Sequence, residues 1–378
     1  MTHRRVVHIT SVHVWSDTRI FQRMCQGLSK RGWQVSLIAS NVASQVVEGV
    51  SVHGVRVPKS RLLRALVGGY RIVSAARAID AEIYHFHDPE LLIWKWLLAL
   101  GGRRVVYDMH EYVPGAITTR PWIPGGVRQA LADCWRLLER MTLRGTPVVL
   151  AERSYAKHYP WVPCKVVVLN LPDTETLLAI PSTTQSGRIV YVGRVSRGRG
   201  SLRMVEAVHL LRERGIEVQL DIVGPIAEAH RVELVAVIDR ARLSSVRLHG
   251  YMKPVEAWRL AAGAVAGLAV LEPEPNYVES FPTKMFEYMA LGLPVIVSDF
   301  PLYRDVVDGS ACGMCVDPLD SAALATALEQ LLRDPARAQE LGRNGREAVQ
   351  KRYRWDQQLD ALEGFYRDNL GASQFTVQ

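Results

Sequence analysis

Residues 172–195 read PDTETLLAIPSTTQSGRIVYVGRV. The first two-thirds are rich in Pro, Ser and Thr and carry no long apolar run, the composition of a linker. The last eight residues switch to a β-branched apolar run that ends beside a glycine, the pattern of a buried strand. A linker followed by a fresh strand in mid-chain divides the protein in two, and 378 residues suit two cores better than one.

On the upstream side, short Val/Ile-rich runs alternate with longer amphipathic ones. The strand-like runs are RRVVHIT, WQVSLIAS, VSVHGVRV, EIYHFHD, RVVYDMH, PVVLAE and KVVVLNL, with a helix from Arg19 to Arg31 stopped by Gly32. On the downstream side the alternation restarts with RIVYVGRV, a helix from Leu202 to Arg214, VQLDIVG, a helix over 228–242, VRLHGYM, AGLAVLE and LPVIVSD. Strands separated by helices predict parallel sheets, hence an α/β class with Rossmann-like domains. The expected boundaries are 1–171, a linker over 172–187, 188–353, and a terminal helix with tail over 354–378. Ligands of open parallel sheets bind beyond the carboxyl ends of the strands, and two such domains facing one another would frame a cleft. Residues that directly follow strands are therefore the ones that can carry chemistry.

Composition narrows the class. With 48% hydrophobic and 22% charged residues the chain is neither disordered nor fibrous. The net charge of +8 is uneven: residues 1–170 hold 23 Lys+Arg against 11 Asp+Glu, and the remainder 23 against 27. A basic first half favours an anionic partner such as a phosphorylated substrate or an acidic membrane surface. Five scattered cysteines, including the pair in CGMCVDP, make no disulfide framework or four-ligand zinc pattern and suit a reducing, cytoplasmic setting. The start MTHRRVVHITSVHVW lacks the apolar core of a signal peptide. The run LLIWKWLLAL holds Lys95 and falls short of the roughly 20 residues that span a bilayer, so membrane contact is expected to be peripheral, at the inner face.

Two strand-following stretches stand out. After RIVYVGRV comes SRGRGSL, where Gly193, Gly198 and Gly200 let backbone approach a ligand and Arg194, Arg197 and Arg199 add charge before a helix start. Glycine turn, fixed cations and helix N-terminus together suit a diphosphate. From the last residue of AGLAVLE the chain reads EPEPNYVESFPTKMFEYMALGLPVIVSD, with Glu279 in the loop before a helix that Pro282 opens and Glu287 more than a turn inside it. The two carboxylates cannot share one helix face. They can hold two parts of a long ligand whose anionic middle sits at the helix entrance, and ionised carboxylates are acceptors matched to sugar diols.

The stretch from Glu272 to Asp299, with its Glu, seven residues, Glu spacing, resembles the family 4 glycosyltransferases of the GT-B fold, and the resemblance spans essentially the whole chain. It implies two Rossmann-like parallel-sheet domains facing a central cleft, a C-terminal helix crossing back to the first domain, and retaining transfer of a hexose or N-acetylhexosamine from a UDP- or GDP-linked sugar. It implies no metal and no cofactor beyond that co-substrate. Glu279 would face the donor sugar and Glu287 the ribose diol, with Ser280, Phe281, Pro282 and Thr283 approaching sugar and phosphate. The family's Gly-Arg and Lys-Gly pairs on the donor diphosphate correspond to Gly193 with Arg194 and Arg199 with Gly200, the lysine having become arginine. His110, in YDMHE with Glu111 beside it, matches a histidine that lies against the donor sugar, and with Glu279 it is the expected catalytic residue. His85 and His87 alternate onto one strand face like a metal pair, but a third ligand is not evident.

One departure is plain. Where many family members have a Gly-Gly loop after the first strand, this chain has HVWSDTRIF, so Ser16, Asp17 and Arg19 are expected on the acceptor side. The terminal RWDQQLDALEGFYRDNL places Trp355, Leu359, Leu362 and Tyr366 at helical spacing. Tryptophans in the basic half, in LLIWKWLLAL and in RPWIPGGVRQALADCWRLLERMTLRG, suit a membrane-bound, lipid-linked glycan acceptor of cell-surface polysaccharide synthesis. The alternatives are a soluble small acceptor, a GT-B sugar-nucleotide epimerase, or a non-enzymatic nucleic-acid binder. No aromatic-basic RNA motif or recognition helix supports the last, so no nucleic acid is expected.

Overall fold

The computed structural model describes residues 4–120, 122–172, 174–181 and 187–370, and the chain divides into two compact units. The first is Met1–Asn170 with Trp355–Gln378, and the second is Leu171–Arg354.

In the first unit the strands are β1 (Arg5–Ile9), β2 (Gln34–Ser40), β3 (Gln45–Val47), β4 (Val50–Val55), β5 (Ile83–Phe86), β6 (Arg104–Met109), β7 (Val148–Leu150) and β8 (Lys165–Val167). They form one sheet in the order β3-β4-β2-β1-β5-β6-β7-β8, parallel except for the β3–β4 pair. Strand β3 has no counterpart in the sequence reading. Gln45 and Val46 are exposed at a sheet edge, so no alternation marks them. Both faces of the sheet are covered, as an all-parallel core requires. On one face Val6, Val35, Leu37 and Val106 meet Ile20, Met24 and Leu28 of the helical stretch from Thr18 to Lys30. On the other, Val7, Ile9, Tyr84 and Tyr107 meet Ile72, Leu92 and Leu98.

The C-terminal helix Trp355–Leu370 belongs to this first unit. Its Trp355, Leu359, Leu362, Phe365 and Tyr366 join the core around Ile20 and Met24, and each fully buried apolar side chain is worth roughly 1.5–3 kcal/mol. Gly27 is what lets the helices meet there: a Cβ on it would lie 2.5 Å from Leu359 Cδ1. Trp355 Nε1 donates to the Arg23 carbonyl at 3.1 Å, and Trp33 Nε1 to Glu363 at 2.7 Å. Residues 371–378 of the expected tail lie outside the described residues.

The second unit holds β9 (Arg188–Val192), β10 (Gln219–Val223), β11 (Val246–Gly250), β12 (Ala266–Ala269), β13 (Val295–Ser298) and β14 (Gly313–Val316). All pair in parallel in the order β11-β10-β9-β12-β13-β14. The order reverses between β9 and β12, which makes their carboxyl ends the topological switch point, where ligands of such sheets bind.

Part of the stretch read as a linker is structured. Thr174–Leu178 is a helix that buries Thr174 and Leu177 in the second unit, and Arg346 donates to the Leu178 carbonyl. Its Thr and Glu residues gave it a linker's composition, but Glu175 and Thr176 face outward while Leu177 packs. Residues 173 and 182–186 of that stretch lie outside the described residues.

Candidate active site

At the β9/β12 switch point the backbone is shaped by glycine. Gly193 has φ 139° and donates its N–H to the Val223 carbonyl at 2.9 Å, while a Cβ on Gly224 would come within 1.9 Å of the Gly193 carbonyl oxygen. Gly200 has φ 74°, and a Cβ there would meet the Val270 carbonyl oxygen at 2.1 Å. The loop after β9 is thereby pressed against the exit of β12, and Glu272 N–H donates to the Gly198 carbonyl at 2.9 Å across the junction. Helix Ser201–Glu213 then begins with its unpaired N–H groups at this end of the sheet.

The three loop arginines have separate fates. Arg194 is exposed, and its carbonyl accepts the Tyr191 hydroxyl at 2.6 Å. Arg199 is partly buried, bonded to the hydroxyls of Tyr191 and Tyr277, with its guanidinium 5.6 Å from the Tyr277 ring centre. Arg197 points elsewhere, paired with Glu233.

On the β12 side, the one-turn helix Pro275–Val278 ends at Glu279, which has φ −104° and ψ 1°. Ser280 Oγ donates to the Asn276 carbonyl, and the Phe281 ring meets Phe286 edge-on at 5.4 Å. Pro282 caps the following helix, Thr283–Ala290, one position before the first-turn place expected of it. Its fixed φ suits either position. Glu287 lies on this helix, half-buried. The helix is bolted to the strand end, because Tyr288 Oη accepts the Val192 N–H at 2.8 Å and Gly267 leaves room for the Tyr288 ring. Gly193, Arg194, Arg199, Gly200, Glu279 and Thr283 therefore all sit on segments that meet at the switch point. So does Lys284, which the sequence reading passed over. It is buried, its Nζ has no hydrogen-bond partner among the described residues, and Nζ lies 3.7 Å from the Tyr191 ring centre. The available signal was a single cation inside KMFEYMA, a stretch whose only other charge is Glu287.

The first unit's own switch point, between β1 and β5, is filled from within. The Asp88 carboxylate accepts the backbone N–H groups of Ser11 and Val12 and the Thr10 hydroxyl at 2.7 Å, and its other oxygen lies 2.7 Å from His13 Nδ1. Burial raises the Asp88 pKa, but His13 and these donors overturn that and hold it far below the carboxylate range. The loop that lacks Gly-Gly thus spends its backbone donors on a protein carboxylate.

Beside it lies a buried charge network. Asp108, inside β6, accepts Arg19 Nε at 3.0 Å and Nη2 at 2.8 Å, His87 Nδ1 at 3.0 Å and His110 Nε2 at 2.9 Å. Burial would raise the Asp108 carboxyl, yet the Arg19 charge and His110 hold it well below its usual range. His110, at the strand end, keeps one edge toward solvent with 17% of its side chain exposed. These placements correct the acceptor-side expectation. Arg19 is committed to Asp108, and Asp17 Oδ1 caps the helix by accepting the N–H groups of Arg19 and Ile20 at 2.9 and 3.0 Å. Of the three, only Ser16 is exposed. Glu111 pairs with Arg120 at 3.0 Å.

The third histidine missing from the metal-like pair is His8, whose backbone stands opposite His85 in the β1–β5 register. The ligand atoms of His8, His85 and His87 lie within 4.8 Å of one another, and burial holds all three imidazoles below their usual pKa, hence neutral. Their rings do not converge on a point. His8 and His85 each stack on His87, at 5.1 and 4.7 Å, and His8 Nδ1 shares a hydrogen bond with His87 Nε2 at 2.9 Å. The CxxC pair is equally unsuited to thiolate chemistry, since burial pushes the thiols of Cys312 and Cys315 up to about 12 and about 11.

Two family models match this chain: "Glycosyltransferase Family 4" over residues 18–159 and "Glycosyl transferases group 1" over residues 179–348. The chain belongs to the family 4 glycosyltransferases. Among the relatives of this glycosyltransferase is a D-inositol 3-phosphate glycosyltransferase of Arthrobacter sp., 32% identical over 46% of this chain and 40% of its own length. A phosphatidyl-myo-inositol mannosyltransferase of Mycobacterium leprae is 27% identical over 78% of this chain and 73% of its own. The first of these matches thus spans well under half of that relative. Sucrose-phosphate synthase of Thermosynechococcus elongatus shares the fold, with TM-score 0.77 at 20% identity over 98% of this chain and 100% of that one. HepE of Anabaena, solved with UDP-glucose, does so with TM-score 0.72 at 14% identity over 97% and 100%. The family 4 glycosyltransferase therefore has the GT-B fold.

Proposed function

We propose that this glycosyltransferase moves a hexose or N-acetylhexosamine, with retention of anomeric configuration, from a UDP- or GDP-linked sugar to an acceptor hydroxyl. The observation that carries this reading is the second unit's switch point, where glycine-shaped backbone, Arg194 and Arg199 meet the helix entrance flanked by Glu279 and Glu287. The cations would offset charge growing on the leaving diphosphate, and the carboxylates would fix the donor by its diols. Retention and independence of metals rest on the family resemblance. A panel of UDP- and GDP-sugars tests the donor: one of them should raise the unfolding midpoint in step with its concentration, as a ligand of the native state must. No shift with any of them would remove the donor reading.

For the acceptor we favour a lipid-linked glycan. A relative whose name records a phosphatidyl-inositol acceptor matches most of the chain, and the first unit carries apolar side chains among cations on its surface. Leu62, Leu63, Trp96, Trp122, Leu137 and Met141 are exposed, with the exposed Arg61 4.7 Å over the Trp122 ring. Aromatic, leucine and basic side chains together suit the interface of an anionic bilayer. No helix among the described residues is long and apolar enough to cross a membrane. Flotation with phosphatidylglycerol liposomes is expected to carry the protein upward at low salt and release it at high salt. Absence of salt-sensitive flotation would favour the second reading, a soluble acceptor like that named for the Arthrobacter relative.

A further inference from the structure

Lys284 is an anomaly by the logic of a core. It is flanked on its helix by Met285, Phe286, Tyr288 and Met289, all buried, and an unpartnered polar group in such a place destabilises the fold where a methionine would pack well. Its position says what it waits for. A Cβ on Gly193 would lie 3.0 Å from Lys284 Nζ, and Nζ rests on the face of Tyr191, whose hydroxyl holds the Arg194 carbonyl. The amine thus sits beneath the loop that carries Arg194 and Arg199.

Every charged or titratable group facing it can be named. Arg199 approaches from the loop, with Tyr277 bonded to it; Tyr191 comes from β9; Glu287 and Tyr288 lie on the same helix. Burial holds the Lys284 ammonium well below its usual pKa, Arg199 adds to this, and Glu287 only partly opposes it. Among the described residues, no anion lies within hydrogen-bond reach of Nζ.

We propose that Lys284 is a third cation of the donor diphosphate site, its ammonium meeting phosphate oxygen beneath the Gly193 loop when the donor is bound. Where the amine is unprotonated before binding, its nitrogen takes one proton from solvent as the phosphate oxygen arrives, and no covalent bond to the donor forms. Burial and the neighbouring Arg199 disfavour the charged amine before the donor binds, and the arriving diphosphate favours it. The proposal rests on the donor reading above, and its test separates the two.

The full-length chain is titrated with UDP-glucose and with GDP-mannose by calorimetry, in buffers of different ionisation heat. The diphosphate of these donors is a diester and brings no titrating proton near neutral pH. Net proton uptake on donor binding is expected in part of a pH series run across the range where the protein stays folded. Lys284→Met is expected to abolish the uptake, weaken donor binding about 10- to 100-fold, and unfold no earlier than the parent. A merely structural lysine would give the opposite: lower stability with unchanged affinity. Parental binding without uptake, or unchanged affinity in Lys284→Met, overturns the role of Lys284 while leaving the donor reading in place. Binding of neither donor overturns both. If Lys284→Met does not fold, the parent's uptake alone decides.

Discussion

Asp108→Asn is expected to destabilise the first unit by about 3–5 kcal/mol, because it leaves the Arg19 guanidinium buried without its counter-charge. Asp108 is fully buried and Arg19 only 4% exposed, so water cannot replace what the carboxylate supplies. Asparagine keeps the shape but loses the charge and presents an NH2 to one of four donors: Arg19 Nε and Nη2, His87 Nδ1 and His110 Nε2. Hydrogen exchange resolved by mass spectrometry gives the readout unit by unit, with faster exchange expected in β1, β5 and β6 and unchanged protection in β9 to β14. The paired replacement Arg19→Met with Asp108→Leu removes both charges and should recover most of the loss, since an apolar pair of similar volume often substitutes for a buried ion pair. Protection in Asp108→Asn within about 1 kcal/mol of the parent would show that the network carries no such weight.

That network also marks how far the sequence could be read. The alternation of strands and helices, the second start at Arg188 and the helix expected over Arg19 to Arg31 all follow from periodicity and turn residues, and the structure contains them, the last over Thr18 to Lys30. The terminal helix was legible for the same reason: its apolar spacing is strong, and Trp355, Leu359, Leu362 and Tyr366 do bury. The roles of Arg19 and Asp88 were not legible. A sequence displays a charged residue after a strand, but whether it faces a ligand or another side chain depends on a partner 89 positions away in the case of Arg19 and Asp108, or 76 in that of Val12 and Asp88. Lys284 was missed for a related reason. Its neighbours read as a packed helix face, and only the geometry shows that its amine ends beneath Gly193 without a partner. The short edge strand Gln45–Val47 and the helix Thr174–Leu178 escaped because each is too brief to establish a period.

On the second unit, Arg199→Ala is expected to lower the rate of sugar transfer by about 100- to 1,000-fold, the scale seen when one fixed donor to a developing negative charge is removed. Arg199 earns this rank over Arg194 by its burial: it is held by Tyr191 and Tyr277 and so needs little reorganisation, whereas Arg194 is exposed and screened. The two glutamates should separate in their kinetics. If Glu287 holds the ribose, a part of the donor remote from the reacting bond, Glu287→Gln removes binding common to ground and transition states and raises the donor KM with kcat little changed. If Glu279 holds the sugar, Glu279→Gln acts where the geometry changes on the way to the transition state and lowers kcat as well. Each charged hydrogen bond contributes about 1.5–3 kcal/mol, so losses of about 10- to 100-fold are expected from either carboxamide. A folded Arg199→Ala or Glu279→Gln variant that transfers sugar at the parental rate would place the chemistry elsewhere than the β9/β12 switch point. A reversed pattern, with kcat falling in Glu287→Gln and KM alone rising in Glu279→Gln, would keep the site but turn the donor end for end along the helix entrance.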